Sequence, residues 1–254
     1  DKFPSRFYDV AIAEQHAMTF AAGLACEGKK PVLAIYSTFL QRAYDQLIHD
    51  VAIQNLDLLI AIDRAGLVGE DGATHSGIFD LSFLRCIPNL IVMTPSSEAE
   101  CWRLLETGYN FEGPAAVRYP KGFGLGTDLP NEFEEIEIGK SEEIKFSEAN
   151  KISILNFGSM LSLSDEISKD LDANLIDMRF VKPLDAECII KCANHSDLLV
   201  TLEDNVVAGG AGSAINEFIA EEDIKVKTIN FGISDNFPSI GGISEQKEDY
   251  QLDR

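Results

Sequence analysis

Basic residues are scarce in this sequence. Its 254 residues include 21 Lys and Arg against 42 Asp and Glu, which leaves a formal net charge of −21. A surface this negative repels the phosphates of nucleic acids and of anionic membranes, so we expect neither as a partner. A phosphate-bearing ligand would need a local cluster of arginines that works against the overall field.

Paired cysteines and long apolar runs are also missing. The five cysteines are odd in number and form no CxxC motif, so we expect reduced thiols in a reducing compartment. No apolar run reaches the ~18 residues that a membrane-spanning helix needs. The chain opens at Asp1 without a Met or a signal-like apolar segment. We therefore expect it to begin within a longer protein.

Short apolar runs that alternate with amphipathic segments make up most of the chain. Helical spacing is predicted for Glu14–Cys26 and Phe39–Gln54. The expected strands are apolar almost throughout, which is typical of parallel strands covered on both faces. They are Val32–Ser37, Leu56–Asp63, Leu90–Thr94, Ala115–Tyr119, Ile152–Phe157, Asn174–Met178, Leu198–Glu203 and Val226–Phe231. This pattern predicts an α/β protein with two Rossmann-like three-layer domains and mostly parallel sheets.

An acidic stretch separates the two sets of strands. Residues 128–150 carry seven glutamates and few apolar runs, which indicates a solvated linker with a short extended piece around Ile136–Ile138. We therefore expect one domain over residues 1–127 and a second over residues 151–254.

Four segments place polar side chains where α/β proteins bind ligands, at helix starts and strand ends. Together they indicate an anion-binding cleft with an acid/base pair. Each residue also has a structural interpretation: a first-turn carboxylate, surface ion pairs, core aromatic residues, a polar turn, and an interior histidine for His49. The candidates are Glu14, Tyr36, Phe39, Arg42, Arg64, Asp71, His75 and Arg118. The glycine-rich 209–213 segment suits either a phosphate cradle or a tight turn, and the turn is favoured.

Several of these segments are similar to motifs of one enzyme family. The run Tyr8–His16 resembles the helix that carries the cofactor-activating glutamate in the transketolase superfamily. The stretches Tyr36–Gln46, Asp63–Gly69 and Asp71–His75, with Leu84–Asn89, resemble the 1-deoxy-D-xylulose-5-phosphate synthases within it. The likeness continues into the second half at residues 203–205 and 209–213.

The resemblance implies roles for individual residues. Glu14 would activate thiamine diphosphate, with Phe39 stacked on the pyrimidine and Ile12 beside it. Substrate contacts would come from Tyr36, Arg42, Arg64, Asp71, His75 and Arg118, with His75 also as an acid/base group. His49 and His16 match family histidines and form a second tier.

The implied reaction joins pyruvate to D-glyceraldehyde 3-phosphate with loss of CO₂, giving 1-deoxy-D-xylulose 5-phosphate. This would be the first step of the methylerythritol phosphate route to isoprenoids, and it also feeds thiamine and pyridoxal synthesis. Mg²⁺ on the diphosphate is normally held by a Gly-Asp-Gly motif and a later Asn in a further domain, and we find no such motif here. We therefore expect no metal site in this chain, and we expect it to be inactive without that domain.

The expected assembly is a homodimer, in the cytoplasm of a bacterium or in the plastid stroma of a plant or alga. Two enzyme alternatives stay open: a transketolase-like half-enzyme and the β subunit of a 2-oxo acid dehydrogenase, which naturally has just these two domains. The Asp71–His75 loop and the Gln41–Gln46 segment speak against both. A non-catalytic scaffold of the same fold is a third alternative.

Overall fold

A computed structural model describes residues 2–122, 124, 126–130, 132 and 134–253. The described residues form two five-stranded sheets. The helices are α1 (Glu14–Cys26), α2 (Ser37–Leu40), α3 (Tyr44–Gln46), α4 (Asp80–Leu84), α5 (Glu98–Asn110), α6 (Leu161–Asp170), α7 (Ala186–His195), α8 (Ala211–Glu221) and α9 (Ile243–Asp249). None of these helices is long and apolar enough to span a bilayer.

The first sheet is built mainly from the first half of the chain. Its strands are β1 (Val32–Tyr36), β2 (Leu58–Ala65), β3 (Ile91–Met93) and β4 (Pro114–Pro120), in the order β1-β2-β4-β3. All of these strands are parallel to one another. The first five residues of β2, residues 58–62, are apolar and buried, as a strand covered on both faces requires.

The second sheet begins within the acidic stretch. Its strands are β5 (Glu142–Lys145), β6 (Ile152–Phe157), β7 (Asn174–Asp177), β9 (Leu198–Val206) and β10 (Lys227–Ile233), in the order β10-β9-β6-β7-β5. Strand β5 is antiparallel to β7 and the other pairs are parallel. The predicted α/β class with two mostly parallel sheets is therefore confirmed.

Two edge strands were not predicted. Strand β5 lies inside the stretch interpreted as a solvated linker, and its acidic residues hid it because an edge strand needs no continuous apolar run. The extended piece expected around Ile136–Ile138 is not a strand; Ile136 is instead buried in an apolar cluster. Strand β8 (Phe180–Lys182) comes from the second half of the chain but belongs to the first sheet, where it pairs antiparallel with β3.

The second sheet is thereby tied to the first, and polar side chains reinforce the junction. The guanidinium Nε of Arg179 donates to Glu100 of α5 at 2.6 Å. The hydroxyl of Ser96, which follows β3, donates to the carboxylate of Asp177 at the end of β7 at 2.5 Å. Burial raises the pKa of Asp177 to about 7, although the hydrogen bond from Ser96 opposes this.

The helix predicted over Phe39–Gln54 is irregular. After α2, the chain forms a 3₁₀ turn at Gln41–Ala43, the short helix α3, and a π turn at Leu47–Ala52. The prediction of one regular helix is wrong here, because apolar spacing alone cannot distinguish these windings. Such π turns are frequent at functional sites, since they change which side chains share a face.

Candidate active site

An open cleft lies beside the first sheet, between the start of α1 and strand β1. Its volume is about 1010 Å³. Apolar and polar side chains share its lining. Those predicted as functional are Ile12, Glu14, Tyr36, Phe39, Arg42 and His75. The predicted residues that line the cleft are up to 63 positions apart in the sequence, from Ile12 to His75.

Glu14 is the first residue of α1 and lies at the floor of the cleft. Its side chain is only 12% exposed, and its Oε1 accepts a hydrogen bond from Arg42 Nη1 at 2.9 Å. The helix N-terminus also favours a negative charge at this position. The preceding turn is set by Ala11, which has a left-handed φ of 54° and donates its amide to the side chain of Asp9 at 2.9 Å.

Two aromatic rings and two arginines form a continuous stack along the cleft. The rings of Tyr36 and Phe39 are stacked with their centroids 5.5 Å apart and 8° between their planes. The guanidinium of Arg64 lies 3.8 Å from the Tyr36 ring, and that of Arg42 lies 4.9 Å from the Phe39 ring. Each guanidinium is attracted to the face of the ring that it covers. We call Arg64, Tyr36, Phe39 and Arg42 the cation–aromatic stack.

The backbone is strained where this stack begins. Arg64 has a left-handed φ of 58°, which is uncommon for a residue with a long side chain. Its amide donates to Asp63 Oδ1 at 2.7 Å, and its guanidinium pairs with the same carboxylate. Strain of this kind is kept where the surrounding structure needs it, and here it directs Arg64 over Tyr36.

The loop after β2 brings His75 to the opposite wall of the cleft. The His75 ring meets the Phe39 ring edge-on at 5.5 Å, and its Nδ1 lies 2.9 Å from the Thr74 hydroxyl. Asp71 of the same loop does not line the cleft. Its carboxylate pairs with Lys121 at 2.5 Å, and the hydrogen bond from Lys121 lowers the pKa of Asp71.

Arg118 is not among the residues that line the cleft. Its side chain is 2% exposed and pairs with Asp80 at 3.1 Å and also with Asp204. Burial would lower the pKa of Arg118, but the two carboxylates more than compensate and raise it. Burial raises the pKa of Asp80 against the opposing effect of Arg118. A buried guanidinium needs counter-ions, and Arg118 has found them at the junction of the two sheets.

The second-tier histidines also lie outside the cleft. His16 stacks with Phe20 at 6.0 Å and is exposed. His49 is 76% exposed and its Nδ1 lies 2.9 Å from Asp50, whose hydrogen bond raises the pKa of His49. Ile12 is at the cleft rim and is 89% exposed. The structure therefore brings neither His16 nor His49 to Glu14.

Sequence reasoning overlooked several cleft residues. Lys30 and Tyr109 line the cleft but fall in no recognisable motif, and Thr74 lies within the Asp71–His75 stretch without having been named as a candidate. It also overlooked Asp80, which is fully buried. The only local signal for Asp80 was a lone carboxylate in the apolar run 78–84, a pattern that indicates a buried partner of opposite charge.

Two family models match the chain. Residues 1–124 match the transketolase pyrimidine-binding domain, and residues 141–254 match the transketolase C-terminal domain. The chain belongs to the transketolase family. Its fold and its two sheets are thus those of a transketolase-family protein.

Curated relatives narrow the similarity within the transketolase family. The 1-deoxy-D-xylulose-5-phosphate synthase of Francisella tularensis subsp. novicida is 56% identical over 241 residues, covering 94% of this chain and 39% of that protein. The synthase of Hahella chejuensis is 56% identical over 252 residues, covering 99% of this chain and 39% of that protein. The resemblance inferred from sequence is confirmed, and the chain spans 39% of the length of these relatives.

Solved structures of transketolases share the architecture. One described as a split gene transketolase, an inactive β4 tetramer, has a TM-score of 0.83 and 29% identity, covering 99% of this chain and 81% of that one. A transketolase from Campylobacter jejuni has a TM-score of 0.71 and 19% identity, covering 94% of this chain and 37% of that one, and it supports the fold alone.

Membership of the transketolase family implies thiamine diphosphate as cofactor. The cleft suits its aminopyrimidine ring, because it offers a poorly solvated carboxylate at Glu14 beside the aromatic face of Phe39. For the metal, no group of three or more His, Cys, Asp or Glu within the described residues could hold an ion. The described residues of this chain therefore match the aminopyrimidine end of the cofactor.

Proposed function

We propose that this chain is the pyrimidine-binding and C-terminal part of a thiamine-diphosphate-dependent transferase. The proposed reaction condenses pyruvate with D-glyceraldehyde 3-phosphate, with loss of CO₂, to 1-deoxy-D-xylulose 5-phosphate. The observation that carries the proposal is one cleft that combines Glu14, Tyr36, Phe39, Arg42 and His75, with Arg64 stacked on Tyr36. Similarity of 56% to synthases over most of the chain supports the same substrate pair.

Glu14 is proposed as the cofactor-activating residue. Its carboxyl group would hydrogen-bond the pyrimidine ring and would hold or release the proton shared with it. The bound cofactor supplies the nucleophile and the electron sink. Phe39 would provide the ring face, and Ile12 would cover the edge of the cleft.

The remaining cleft residues are proposed to bind the substrates. Arg64 and Tyr36 lie together at one end of the stack, where a planar guanidinium can contact a phosphate through two hydrogen bonds. Arg42 provides a second cation nearer Glu14. His75 would act as an acid/base group at the donor substrate. Asp71 would act on the substrate only indirectly, through the position of its loop.

Binding of the diphosphate is proposed to require a further domain. Mg²⁺ prefers oxygen ligands and several waters, and we assign it to that domain. We also propose a homodimeric enzyme in the cytoplasm of a bacterium. The relatives are bacterial synthases, and the cysteines of the described residues are all free thiols.

A second candidate is a transketolase-type half-enzyme. The similar structure that covers 99% of this chain is described as a split gene transketolase. That protein shows that a chain of this architecture can exist as a separate polypeptide. The second candidate predicts two-carbon transfer between sugar phosphates, without release of CO₂ from pyruvate.

A chimeric enzyme tests the proposal. The matching 39% of the Hahella chejuensis synthase is replaced by this chain, and the purified chimera is supplied with pyruvate, glyceraldehyde 3-phosphate, thiamine diphosphate and Mg²⁺. We expect 1-deoxy-D-xylulose 5-phosphate to form with release of one CO₂. The isolated 254-residue chain serves as the control and should show no turnover.

Variants of the chimera separate the candidates. Glu14→Gln should reduce kcat by at least about 100-fold, since the proton relay to the pyrimidine is lost. A chimera that uses a ketose phosphate donor or lipoamide, but not pyruvate with glyceraldehyde 3-phosphate, would contradict the synthase assignment. An active chimera that is insensitive to Glu14→Gln would contradict the role of Glu14. A folded, inactive chimera would favour the scaffold alternative.

A further inference from the structure

The contact between Arg42 and Glu14 has a consequence for cofactor entry. Arg42 Nη1 donates to Glu14 Oε1 at 2.9 Å, so the guanidinium occupies an oxygen of the carboxylate that faces the cleft. The two side chains differ in exposure: Glu14 is 12% exposed and Arg42 is 57% exposed. The carboxylate is therefore fixed in the protein, whereas the guanidinium can withdraw toward solvent.

We propose that Arg42 is a positioning residue that closes the carboxylate of Glu14 until an aminopyrimidine displaces it. The proposal rests on the proposed function, because it takes Glu14 as the acceptor of the cofactor's pyrimidine. A ring nitrogen of the pyrimidine needs a carboxyl oxygen of Glu14, and Arg42 contacts Oε1. The ion pair and the ligand therefore compete for Glu14.

Arg42 also covers the ring on which the pyrimidine is proposed to stack. Its guanidinium lies 4.9 Å from the Phe39 ring. A pyrimidine stacked on Phe39 would therefore replace the guanidinium at the ring face as well as at Glu14. Once withdrawn toward solvent, Arg42 presents an unpaired cation to the cleft.

This arrangement imposes an order on binding. While Glu14 and Arg42 are paired, Glu14 Oε1 is not available to the aminopyrimidine, and the Arg42 guanidinium is not available to an anionic substrate. Displacement by the aminopyrimidine exposes the guanidinium, so the anion subsite at Arg42 is completed after the cofactor has bound. The energy required is small, because a partly exposed ion pair contributes little to stability.

The test is the binding of 4-amino-2-methylpyrimidine to the 254-residue chain, in mildly alkaline buffer where this probe is neutral. Ligand-observed NMR gives the Kd for the wild type, Arg42→Met, Arg42→Lys and Glu14→Gln. Arg6→Met is the matched control, because Arg6 lines the same cleft and its removal changes the net charge equally. Arg6 lies over the Phe3 ring at 5.5 Å, away from Glu14.

Removal of the guanidinium should tighten probe binding. We expect Arg42→Met to lower Kd by about two- to fivefold, the factor that corresponds to an exposed ion pair. Arg42→Lys should fall between the wild type and Arg42→Met, and Arg6→Met should match the wild type. Added salt should tighten binding to the wild type but not to Arg42→Met, because salt screens the competing ion pair.

The outcomes separate this proposal from the proposed function. An unchanged or higher Kd in Arg42→Met, or an equal gain in Arg6→Met, would overturn the closing role and leave the role of Glu14 intact. Probe binding that survives Glu14→Gln unchanged, or no binding by any variant, would overturn both. If Arg42→Met does not fold, the Arg42→Lys variant and the salt series decide.

Discussion

Arg118 of β4 in the first sheet forms a buried ion pair with Asp204 near the end of β9 in the second sheet. Asp80 completes the group from α4 at 3.1 Å. Ser159 supports the far side, where its hydroxyl donates to Asp204 at 2.7 Å. The buried charges thus connect the two sheets and the loop that leads to the cleft.

Replacement of this guanidinium should destabilise the whole chain. Arg118→Met leaves two buried carboxylates without a counter-ion, and we expect the free energy of unfolding to fall by about 3–5 kcal/mol. Urea denaturation followed by circular dichroism measures the change. Lys191→Gln is the control, because its pair with Glu143 is exposed and should contribute less than about 1 kcal/mol. Equal stability of Arg118→Met and the wild type would show that the group is not structural.

Asp177 should give the chain a pH-dependent stability. Burial raises its pKa from 3.8 to about 7, so the folded chain keeps a proton that the unfolded chain has already lost. Its contribution is therefore greatest below pH 4 and declines as the pH rises through 7. Asp177→Asn removes this loss. The free energy of unfolding of the variant should increase relative to that of the wild type as the pH rises from 4 to 7, by up to about 4 kcal/mol. Above pH 7 this difference should stay constant.

Urea midpoints of the wild type and Asp177→Asn at a series of pH values provide the measurement. A difference that does not change with pH would mean that Asp177 ionises normally in the folded chain. Glu143→Gln is a suitable comparison, since Glu143 is a partly exposed acid of the neighbouring edge strand.

Gly77 should tolerate no side chain. A Cβ at this position would lie 2.1 Å from the carbonyl oxygen of Arg64 and 2.7 Å from the Cβ of Ser37. Gly77→Ala must therefore push apart the bridge between Gly66 and Gly77, with a loss of about 1–3 kcal/mol. Thermal denaturation measures it. Gly23→Ala in α1 is the opposite control: its Cβ meets nothing within 4 Å, and it should stabilise the helix by about 0.5–1 kcal/mol.

Arg64 should affect the acceptor more than the donor. In the chimeric synthase, Arg64→Lys keeps the charge but loses the planar guanidinium that lies 3.8 Å from Tyr36. We expect the KM for glyceraldehyde 3-phosphate to rise about 10- to 100-fold, as the loss of a charge-assisted hydrogen bond predicts, with little change for pyruvate. Steady-state kinetics with each substrate varied in turn would show this. A rise confined to pyruvate would reverse the assignment.

Most of the fold could be predicted because its signals are local. Every expected strand from Val32 to Phe231 is present, with ends shifted by at most a few residues, since buried parallel strands need continuous apolar runs. Strands β5 and β8 could not be found in this way. Both lie at sheet edges, and the pairing of β8 with β3 depends on a segment about 90 residues away.

In the candidate site, too, residues in local motifs could be predicted, whereas charge partners that are distant in the sequence could not. Local motifs identified Glu14, Tyr36, Phe39 and His75, which the structure places in one cleft. Arg64 lies over the Tyr36 ring. The motif around Arg118 resembled a substrate site, but whether a strand-end arginine faces the cleft or the sheet junction depends on which carboxylates lie nearby. Asp80 and Asp204 lie 38 and 86 positions from Arg118 along the chain.

The sequence alone determined the α/β class, the transketolase family and the residue types available for chemistry, because strand periodicity and short motifs are encoded within a few residues. Tertiary structure decided which charges meet. It paired Arg42 with Glu14 across 28 positions and buried Arg118 between the sheets. The reason is electrostatic: a charge removed from water must find a counter-ion, and that counter-ion is supplied by the packing of distant elements.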